Sequence, residues 1–250
     1  MGTTFDMLAD RYDLLVDWPK RLVGDSCFLE KLFKQNNVQR VADVACGTGH
    51  HAAMFHGWGL DVEGSDISGA MLNQCRRLHG EGKRLRWVQR SYVEPTASTA
   101  TFDAVVCLGN SLLLAGSLAA AQVAISEMVH AVRMGGIGVI QVLNLAAIEC
   151  GPVRWQKVVR IEVDGRPRLF IKCLHRSETQ AFVDFLEVDD SVEPVQWHSR
   201  SEPLLHLSFE WLTKTIQQAG GAVETVHGSL GESAFDPARS NDMVVVWRRP

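Results

Sequence analysis

The residues that most clearly indicate chemistry lie in the segment VADVACGTGH, from Val41 to His50. Gly47 and Gly49, followed by Ala52, match the pattern G-x-G-x-x-G/A, which binds dinucleotides where a strand turns into a helix. Asp66 follows Gly47 by 19 residues, at a position where a carboxylate can accept hydrogen bonds from both hydroxyls of a ribose. The segment therefore predicts a site for a nucleotide-like ligand, and the pattern alone does not choose between cofactors.

Three features argue against a nicotinamide cofactor. Asp43 lies in the first predicted strand, just before the glycines, where a carboxylate would repel a pyrophosphate. A helical segment of roughly 40 residues precedes that strand, whereas dinucleotide-binding folds usually begin with the strand. Neither Tyr12 nor Tyr92 begins a Tyr-x-x-x-Lys pair for hydride chemistry.

The same segment resembles a known family. DVACGTG, from Asp43 to Gly49, is similar to motif I of the class I S-adenosylmethionine-dependent methyltransferases, in particular the glycine and sarcosine N-methyltransferases. CLGNS, from Cys107 to Ser111, is similar to a second segment of those enzymes, after their fourth strand. The resemblance covers most of the chain and implies S-adenosyl-L-methionine as the cofactor of an enzyme that transfers methyl groups to small molecules.

By this resemblance, ten residues would bind the cofactor. They are Arg21, Ala45, Gly47, Gly49, Asp66, Ile67, Met71, Ser91, Tyr92 and Leu108. Asp66 would hold the ribose hydroxyls, and Arg21 would pair with the cofactor's carboxylate, which suits the forked geometry of a guanidinium. Ser91 and Tyr92 stand where the family often has an acid that binds the adenine amino group, and that acid is missing here.

Two residues are predicted to act on the acceptor. Asn110 would face the methyl group or the substrate, and Tyr12 belongs to the leading helices that the resemblance includes. Where the glycine-type enzymes have a polar aromatic residue and an acid, this chain has Leu145 and Ala146. The resemblance therefore implies transfer to an amine or amino acid nitrogen, with an acceptor that need not be glycine. Simpler interpretations exist: Leu108 and Met71 also suit core packing, and Asn110 also suits the cap of a turn.

The elements that must position these residues follow from hydrophobic periodicity. Strands are predicted at 38–45, 60–65, 85–90, 102–108 and 137–143, with helices at 5–35, 50–58, 68–78 and 118–132, the last capped by Gly135 and Gly136. Such alternation predicts an α/β fold with a Rossmann-like, doubly wound and mostly parallel sheet. A helix at 208–219 and strands at 222–227 and 243–247 would complete seven strands, of which the last is antiparallel.

The chain is interpreted as a single methyltransferase domain over residues 1–250 that contains an insertion. Residues 1–37 would form a helical cap, 38–144 the cofactor-binding core, 150–203 an antiparallel β layer over the substrate pocket, and 204–250 the terminal helix and strands. Asp164-Gly165 predicts a tight hairpin turn in the inserted layer, because glycine readily adopts the positive φ of such turns.

Composition narrows the classes of partner. The 250 residues carry a net charge of −4, which gives no basic footprint for a nucleic acid. No segment approaches the ~20 apolar residues that span a membrane. The six cysteines form no C-x-x-C pair and H-E-x-x-H is absent, so no metal site is predicted. We expect a cytoplasmic enzyme that acts on a small molecule, without nucleic-acid or membrane partners, and leave a homo-oligomer open.

The type of acceptor decides which side chains the chemistry needs. An amine must arrive neutral, because an ammonium has no lone pair, and a desolvated pocket lowers its pKa. An oxygen or sulfur acceptor would need a base, for which His175, His198 and His206 are candidates. If the substrate bears a carboxylate, we expect an arginine of the inserted layer to pair with it. The layer carries Arg154, Trp155, Arg160, Arg168, Lys172, His175, Trp197, His198 and Arg200.

Two other functions use the same glycine turn. A nicotinamide-dependent oxidoreductase would bind a dinucleotide there, and a cofactor-sensing module would bind S-adenosylmethionine without turnover. Transfer to a protein is a variant of the first interpretation, whereas the acidic balance argues against transfer to RNA.

Overall fold

The computed structural model describes residues 4–95, 101–163, 165–231 and 233–250. In these ranges the helices are α1 (Thr4–Leu8), α2 (Trp18–Gln35), α3 (His50–Gly57), α4 (Gly69–His79), α5 (Leu118–Ala131) and α6 (Phe209–Gln218). The strands are β1 (Arg40–Val44), β2 (Asp61–Asp66), β3 (Leu85–Gln89), β4 (Phe102–Cys107), β5 (Val132–Leu143), β6 (Arg154–Val163), β7 (Arg166–Arg176), β8 (Ala181–Asp189), β9 (Gln196–Leu204), β10 (Ala222–His227) and β11 (Asp242–Arg248).

Seven strands form one sheet in the order β10-β11-β5-β4-β1-β2-β3. Strand β11 runs antiparallel to both of its neighbours, and the pairs β4–β5, β1–β4, β1–β2 and β2–β3 are parallel. The predicted Rossmann-like sheet with an antiparallel last strand is therefore confirmed. The order reverses direction next to β1, so a crevice opens beyond the carboxyl ends of β1 and β4, where open α/β sheets bind their ligands.

Apolar residues line both faces of the sheet, as strands covered on two sides require. Val41 and Val106 pack in the core beneath α2, α3 and α4, whereas their neighbours Ala42 and Val105 pack in the core beneath α5 and α6. The helices thus hold the loops at the carboxyl end of the sheet from both sides.

Two local predictions need correction. The segment 5–35 is not one continuous helix, because a 3₁₀ turn at Tyr12–Leu15 separates α1 from α2, which begins after Asp17 caps the amide of Lys20. Gly135 and Gly136 do not cap α5: they lie within β5, which begins at Val132. The backbones of Gly135 and Gly136 bond to Arg249, so pairing with the chain end after β11 draws this segment into the sheet.

The second sheet is the predicted inserted layer. Its strands pair antiparallel in the order β6-β7-β8-β9. One face buries Phe170 and Leu174 of β7 and Val183 and Phe185 of β8 in the core shared with α5 and α6. Gly165 has a φ of 74°, as the predicted hairpin turn requires, while Asp164 lies outside the described residues. Among the described helices, none has the length and apolar character needed to cross a membrane.

Candidate active site

The turn from β1 into α3 uses its glycines for two different reasons. Gly47 has a φ of 57°, and a Cβ added there would meet no atom within 4 Å, so the turn leaves open space on that side. Gly49 has a φ of 80°, and its Cβ would lie 2.6 Å from the ring of Trp87 and 2.9 Å from the sulfur of Cys75. Ala45 also adopts a positive φ, of 57°, which is uncommon for a residue other than glycine. Gly47 therefore leaves room for a ligand, and Gly49 lets the helix pack on the sheet.

Asp66, at the end of β2, faces this turn. Its carboxylate accepts hydrogen bonds of 2.9 Å from the backbone N–H groups of Gly47 and Ser68. The side chain is only 8% exposed, and burial raises the pKa of its carboxyl. Next to it, Ile67 is 56% exposed. An anionic acceptor and an exposed apolar surface thus lie side by side at the mouth of the turn.

Asp43, in β1, has an unsatisfied carboxylate. Its Oδ2 is buried and has no hydrogen-bond partner among the described residues. Burial and the negative charge of Asp66 raise the pKa of Asp43 to about 7, against the opposing effects of the backbone N–H of Ala52 and of Arg21. A buried acceptor without a partner costs free energy, so this oxygen indicates where a donor of a ligand would sit.

Arg21, on α2, reaches the carboxyl ends of β4 and β5. Its Nη2 lies 3.4 Å from Oε1 of Gln141, its Nε lies 3.4 Å from Asp25, and its guanidinium stacks over the ring of Trp18. Gln141 Oε1 also accepts from the backbone N–H of Gly109, at 3.3 Å. The cation is thereby fixed beside the loop that follows β4.

The loop after β4 brings Asn110 to the same edge. Asn110 has a φ of 73°, and its buried Oδ1 has no hydrogen-bond partner in the described part of the chain. The hydroxyl of Ser111 donates to the carbonyl of Leu108 at 3.2 Å. Leu108 itself is 5% exposed. As in Asp43, a buried oxygen at this edge has no donor among the described residues.

The segment before α2 is fastened to the glycine turn by one carboxylate that sequence reasoning missed. Asp13 accepts hydrogen bonds from the hydroxyl of Thr48 at 2.6 Å and from Nε1 of Trp18 at 2.8 Å, and it lies 2.9 Å from Nε2 of His50. Trp18 stacks on His50 with ring centroids 4.4 Å apart. No motif marks Asp13, because its partners are distant in sequence.

His51, the second residue of α3, is buried. It is 5% exposed and its Nε2 lies 2.9 Å from Asp25, the acid that also pairs with Arg21. Burial lowers the pKa of His51 despite this carboxylate. His51 therefore supports the position of α2 and its arginine.

The other predicted residues occupy less direct positions. Tyr12 begins the 3₁₀ turn of the leading segment. Burial raises the pKa of its hydroxyl; the charge of Arg21 opposes this rise and that of Asp66 adds to it. Tyr92 lines a small cleft with Val44 and Ser65. Ser91 donates its backbone N–H to Glu94 at 2.7 Å, so a carboxylate lies three residues beyond the position where the family often has one. Met71 is 1% exposed on α4, which fits its simpler interpretation as a core residue.

The candidate bases of the inserted layer do not meet at this site. His175 is held by Asp184 at 2.7 Å and stacks on Phe182. In β7 it alternates with Leu174 and so lies on the face opposite to the buried one,. His198 and His206 are exposed. Within the described ranges, no cluster of three or more His, Cys, Asp or Glu side chains could hold a metal ion.

These residues suit a cofactor that has an adenosine, an amino group and a carboxylate. Asp66 can accept from hydroxyls, the free Oδ2 of Asp43 can accept from an ammonium, Arg21 can pair with a carboxylate, and Gly47 leaves room for the ligand's backbone,. The site therefore offers a residue of complementary chemistry for each of these groups of the cofactor.

Comparison with known proteins gives a match over the segment that contains the glycine turn and Asp66. Residues 41–136 match a family model described as a methyltransferase domain. A glycine/sarcosine N-methyltransferase from Parasynechococcus marenigrum is 36% identical over 105 residues, which cover 41% of this chain and 37% of that protein. Human glycine N-methyltransferase is 30% identical over 154 residues, covering 54% and 52%. The chain thus spans about half the length, or less, of these curated relatives.

Solved structures match along nearly the whole chain. The CcbJ methyltransferase from Streptomyces caelestis has a TM-score of 0.76 at 19% identity, covering 99% of this chain and 98% of the other. A sugar N-methyltransferase from Streptoalloteichus also has a TM-score of 0.76, at 21% identity, with 100% and 94% covered. An amino pentose methyltransferase from Micromonospora echinaspora, solved with S-adenosylmethionine bound, has 0.66 at 20% identity, with 100% and 93% covered. At such identities these likenesses show the fold.

Proposed function

We propose, from the premise that residues 41–136 form a methyltransferase domain on the fold of the S-adenosylmethionine-dependent methyltransferases, that this chain transfers a methyl group from S-adenosyl-L-methionine to the nitrogen of a small amine or amino acid. One observation carries the proposal. Asp66 bonds to the turn at Gly47, while Asp43 and Asn110, which lie at the carboxyl-end side of neighbouring strands, each have a buried oxygen without a hydrogen-bond partner among the described residues.

Each chemical group of the cofactor is assigned to a residue at this edge of the sheet. Asp66 would accept from the ribose hydroxyls, with Ile67 beside the adenine, and Asp43 would accept from the amino group. Arg21 would pair with the carboxylate, and Gly47 would let the ligand approach the backbone. Further contacts are proposed for Ala45, Gly49, Met71, Ser91, Tyr92 and Leu108. When bound, S-adenosylmethionine supplies an electrophilic methyl group on a sulfonium.

The protein's own contribution is placement and exclusion of water. Orienting two reactants can contribute roughly 7 to 11 kcal/mol to a rate. The free Oδ1 of Asn110 can accept an N–H of the acceptor and so direct the nitrogen's lone pair. Tyr12, with its pKa raised by burial, remains a neutral hydroxyl that can donate or accept a hydrogen bond at the site. The Arg21 cation disfavours a charged ammonium nearby, which helps the acceptor to arrive neutral.

Two observations favour nitrogen over oxygen or sulfur as the acceptor atom. An oxygen or sulfur acceptor needs a base, yet His175 is held on the outer face of the inserted layer by Asp184. The relatives with 30 to 36% identity carry N-methyltransferase names, and so does a solved structure of similar fold.

The wider setting of the enzyme is proposed on the same basis. Residues 150–203 would cover the acceptor pocket, since the 3₁₀ turn at Tyr12–Leu15 packs against β6 and β7. All six cysteines are free thiols, which supports a reducing compartment such as the cytoplasm. The acceptor is a small molecule rather than a nucleic acid, and assembly into a homo-oligomer stays a prediction.

Calorimetric titration and a transfer assay test the proposal together. The protein should bind S-adenosylmethionine and its demethylated product, and should bind nicotinamide dinucleotides far more weakly. Incubation with methyl-labelled cofactor should then label amines or amino acids in a panel that also contains thiols and phenols. Binding of a nicotinamide alone would favour the oxidoreductase, and cofactor binding without any labelled acceptor would favour a sensing module.

A further inference from the structure

Lys172 occupies an unusual position in the inserted sheet. It alternates along β7 with Phe170 and Leu174, which are 2% and 1% exposed. Because side chains two residues apart share one face of a strand, the lysine lies on the buried face of the sheet. Its ammonium stands over the ring of Phe185, its cross-strand neighbour, at 6.0 Å from the centroid.

The aromatic residues around Lys172 connect it with the proposed methyl-transfer site. Phe185 packs edge-on against Phe5, with centroids 6.3 Å apart, and Phe5 packs against Tyr12 at 6.2 Å. The charge of Arg21 acts on both Tyr12 and Lys172. Lys172 therefore faces the space between the leading segment and the carboxyl ends of β4 and β5.

Two carboxylates in the rows adjacent to Lys172 are engaged elsewhere. Glu187, in the next row of the sheet, pairs with Arg11 at 2.9 Å and with Arg168 at 3.8 Å. Glu202 accepts a hydrogen bond from the hydroxyl of Thr4. In the described part of the chain, Lys172 forms no ion pair, and burial together with Arg21 lowers its pKa to about 8.

The neighbouring strands add positive rather than negative charge to the row that contains Lys172. Lys157 of β6 pairs with Lys172, and Arg200 of β9 pairs with Phe185, so three basic residues form one row across the four strands. Like charges placed directly opposite each other in a sheet are destabilising, and a half-buried cation without a partner costs free energy. An anion bound beside Lys172 would supply the counter-charge that the described residues do not provide.

We propose that Lys172 binds the carboxylate of the methyl acceptor and thereby selects amino acids over amines that lack an acidic group. This inference rests on the function proposed above and adds a specificity-determining residue to it. A single ammonium above an aromatic ring suits a small monoanion, and the aromatic wall of Phe5, Tyr12 and Phe185 suits an apolar body beside it. Arg21 remains assigned to the cofactor.

The test compares acceptors with and without this charge, and compares their ratio between variants so that the lower amine pKa of an ester affects each variant equally. Glycine, sarcosine and phenylalanine are each assayed beside their methyl esters with wild-type protein, Lys172→Met, Lys172→Arg and the control Lys214→Met, which alters an exposed lysine of α6. We expect the wild type and Lys214→Met to favour at least one acid over its ester by about tenfold or more in kcat/KM. Lys172→Met should lose that preference while its affinity for S-adenosylhomocysteine stays within about twofold, and Lys172→Arg should regain part of it.

A second readout does not depend on turnover. In protein with ¹³C-labelled lysine, saturated with S-adenosylhomocysteine, the pKa of Lys172 should rise from about 8 when the amino acid is added and stay unchanged with the ester, because a nearby carboxylate favours the charged ammonium. An acid-to-ester preference that is equal in wild type and Lys172→Met, or a Lys172 pKa that ignores the carboxylate, overturns the inference. If the wild type methylates nothing, the proposed function fails, and the titration alone decides the role of Lys172.

Discussion

The carboxylate of Asp66 accepts a hydrogen bond of 2.9 Å from the backbone N–H of Gly47, across the opening between β2 and the turn after β1. This contact fixes an anionic acceptor beside the only stretch of that turn where a side chain is missing and space is free. Because the acceptor belongs to one strand and the space to the next, both depend on the parallel pairing of β1 with β2.

Replacement of Asp66 by alanine should reduce affinity for S-adenosylmethionine by about a hundredfold or more, since hydrogen bonds from two hydroxyls to a charged group are lost, at about 1.5 to 3 kcal/mol net each. Isothermal titration calorimetry measures the change, with circular dichroism to verify the fold. Asp61→Ala, at the opposite end of the same strand and paired with Arg84 on the surface, is the matched control. Unchanged affinity in a folded Asp66→Ala protein would refute the cofactor assignment.

Replacement of Gly49 and of Gly24 by alanine should change the free energy of unfolding in opposite directions. Gly49→Ala should lower the free energy of unfolding by about 2 to 4 kcal/mol, because alanine at positive φ is strained and the new Cβ would overlap Trp87 and Cys75,. Gly24→Ala, in the exposed interior of α2 with no atom near the new Cβ, should raise it by about 0.5 to 1 kcal/mol. Urea denaturation of both variants checks the pair, and a stable Gly49→Ala protein would contradict the packing role.

The protonation of Asp43 should couple cofactor binding to pH. Its pKa of about 7 means that its carboxyl is protonated at pH 6 and ionised at pH 8, and only the ionised form attracts the cofactor's ammonium. Affinity should therefore rise from pH 6 towards pH 8, until the cofactor's own ammonium begins to lose its proton. Asp43→Asn should bind more weakly at pH 8 and show a flatter profile, whereas Asp61→Ala should keep the wild-type profile. A profile identical in Asp43→Asn and wild type would remove Asp43 from the site.

The raised pKa of Asp43 also predicts how the stability of the cofactor-free protein depends on pH. Its pKa in the folded state lies above the ordinary value of 3.8, so the folded protein retains a proton that the unfolded chain has released. The contribution of Asp43 to stability is therefore present at pH 4 and is lost as the pH rises to about 7. Thermal unfolding across this range should show a steeper decline in the wild type than in Asp43→Asn, in which Asp66, whose pKa is also raised by burial, still contributes.

Loss of Asp13 should loosen the leading segment from the glycine turn. Asp13→Ala removes the acceptor shared by Thr48, Trp18 and His50, which we expect to cost about 1 to 3 kcal/mol and to weaken cofactor binding. Asp17→Ala removes the cap of α2 and should cost about 1 kcal/mol without affecting the turn. Hydrogen exchange should show faster opening of residues 4–16 in Asp13→Ala only, and equal exchange in both variants would contradict the role of Asp13.

Much of the fold was predictable because it depends on local patterns. Apolar runs such as Phe102–Cys107, a glycine turn after β1 and an acid at the end of β2 define the parallel sheet without reference to distant contacts. The failures at Gly135 and Gly136 came from partners far along the chain: Arg249 pairs with them and extends β5. Periodicity also joined α1 and α2, since the break at Tyr12–Leu15 depends on Trp18 and Asp13 meeting the turn.

The sequence by itself determined the sheet, the glycine turn and the acid that faces it, because neighbouring residues and strand order alone specify them. Only the tertiary structure decided which charges are satisfied. Asp13 acquires three partners, from α2, the glycine turn and the start of α3. Among the described residues, Asp43 and Asn110 each keep a buried oxygen without a donor, and Lys172 stands over Phe185 without an acid. The alternation of Phe170, Lys172 and Leu174 signalled that a lysine shares a buried face, yet its lack of a counter-charge could not be predicted, because it depends on how Glu187 and Glu202 are engaged across the folded chain.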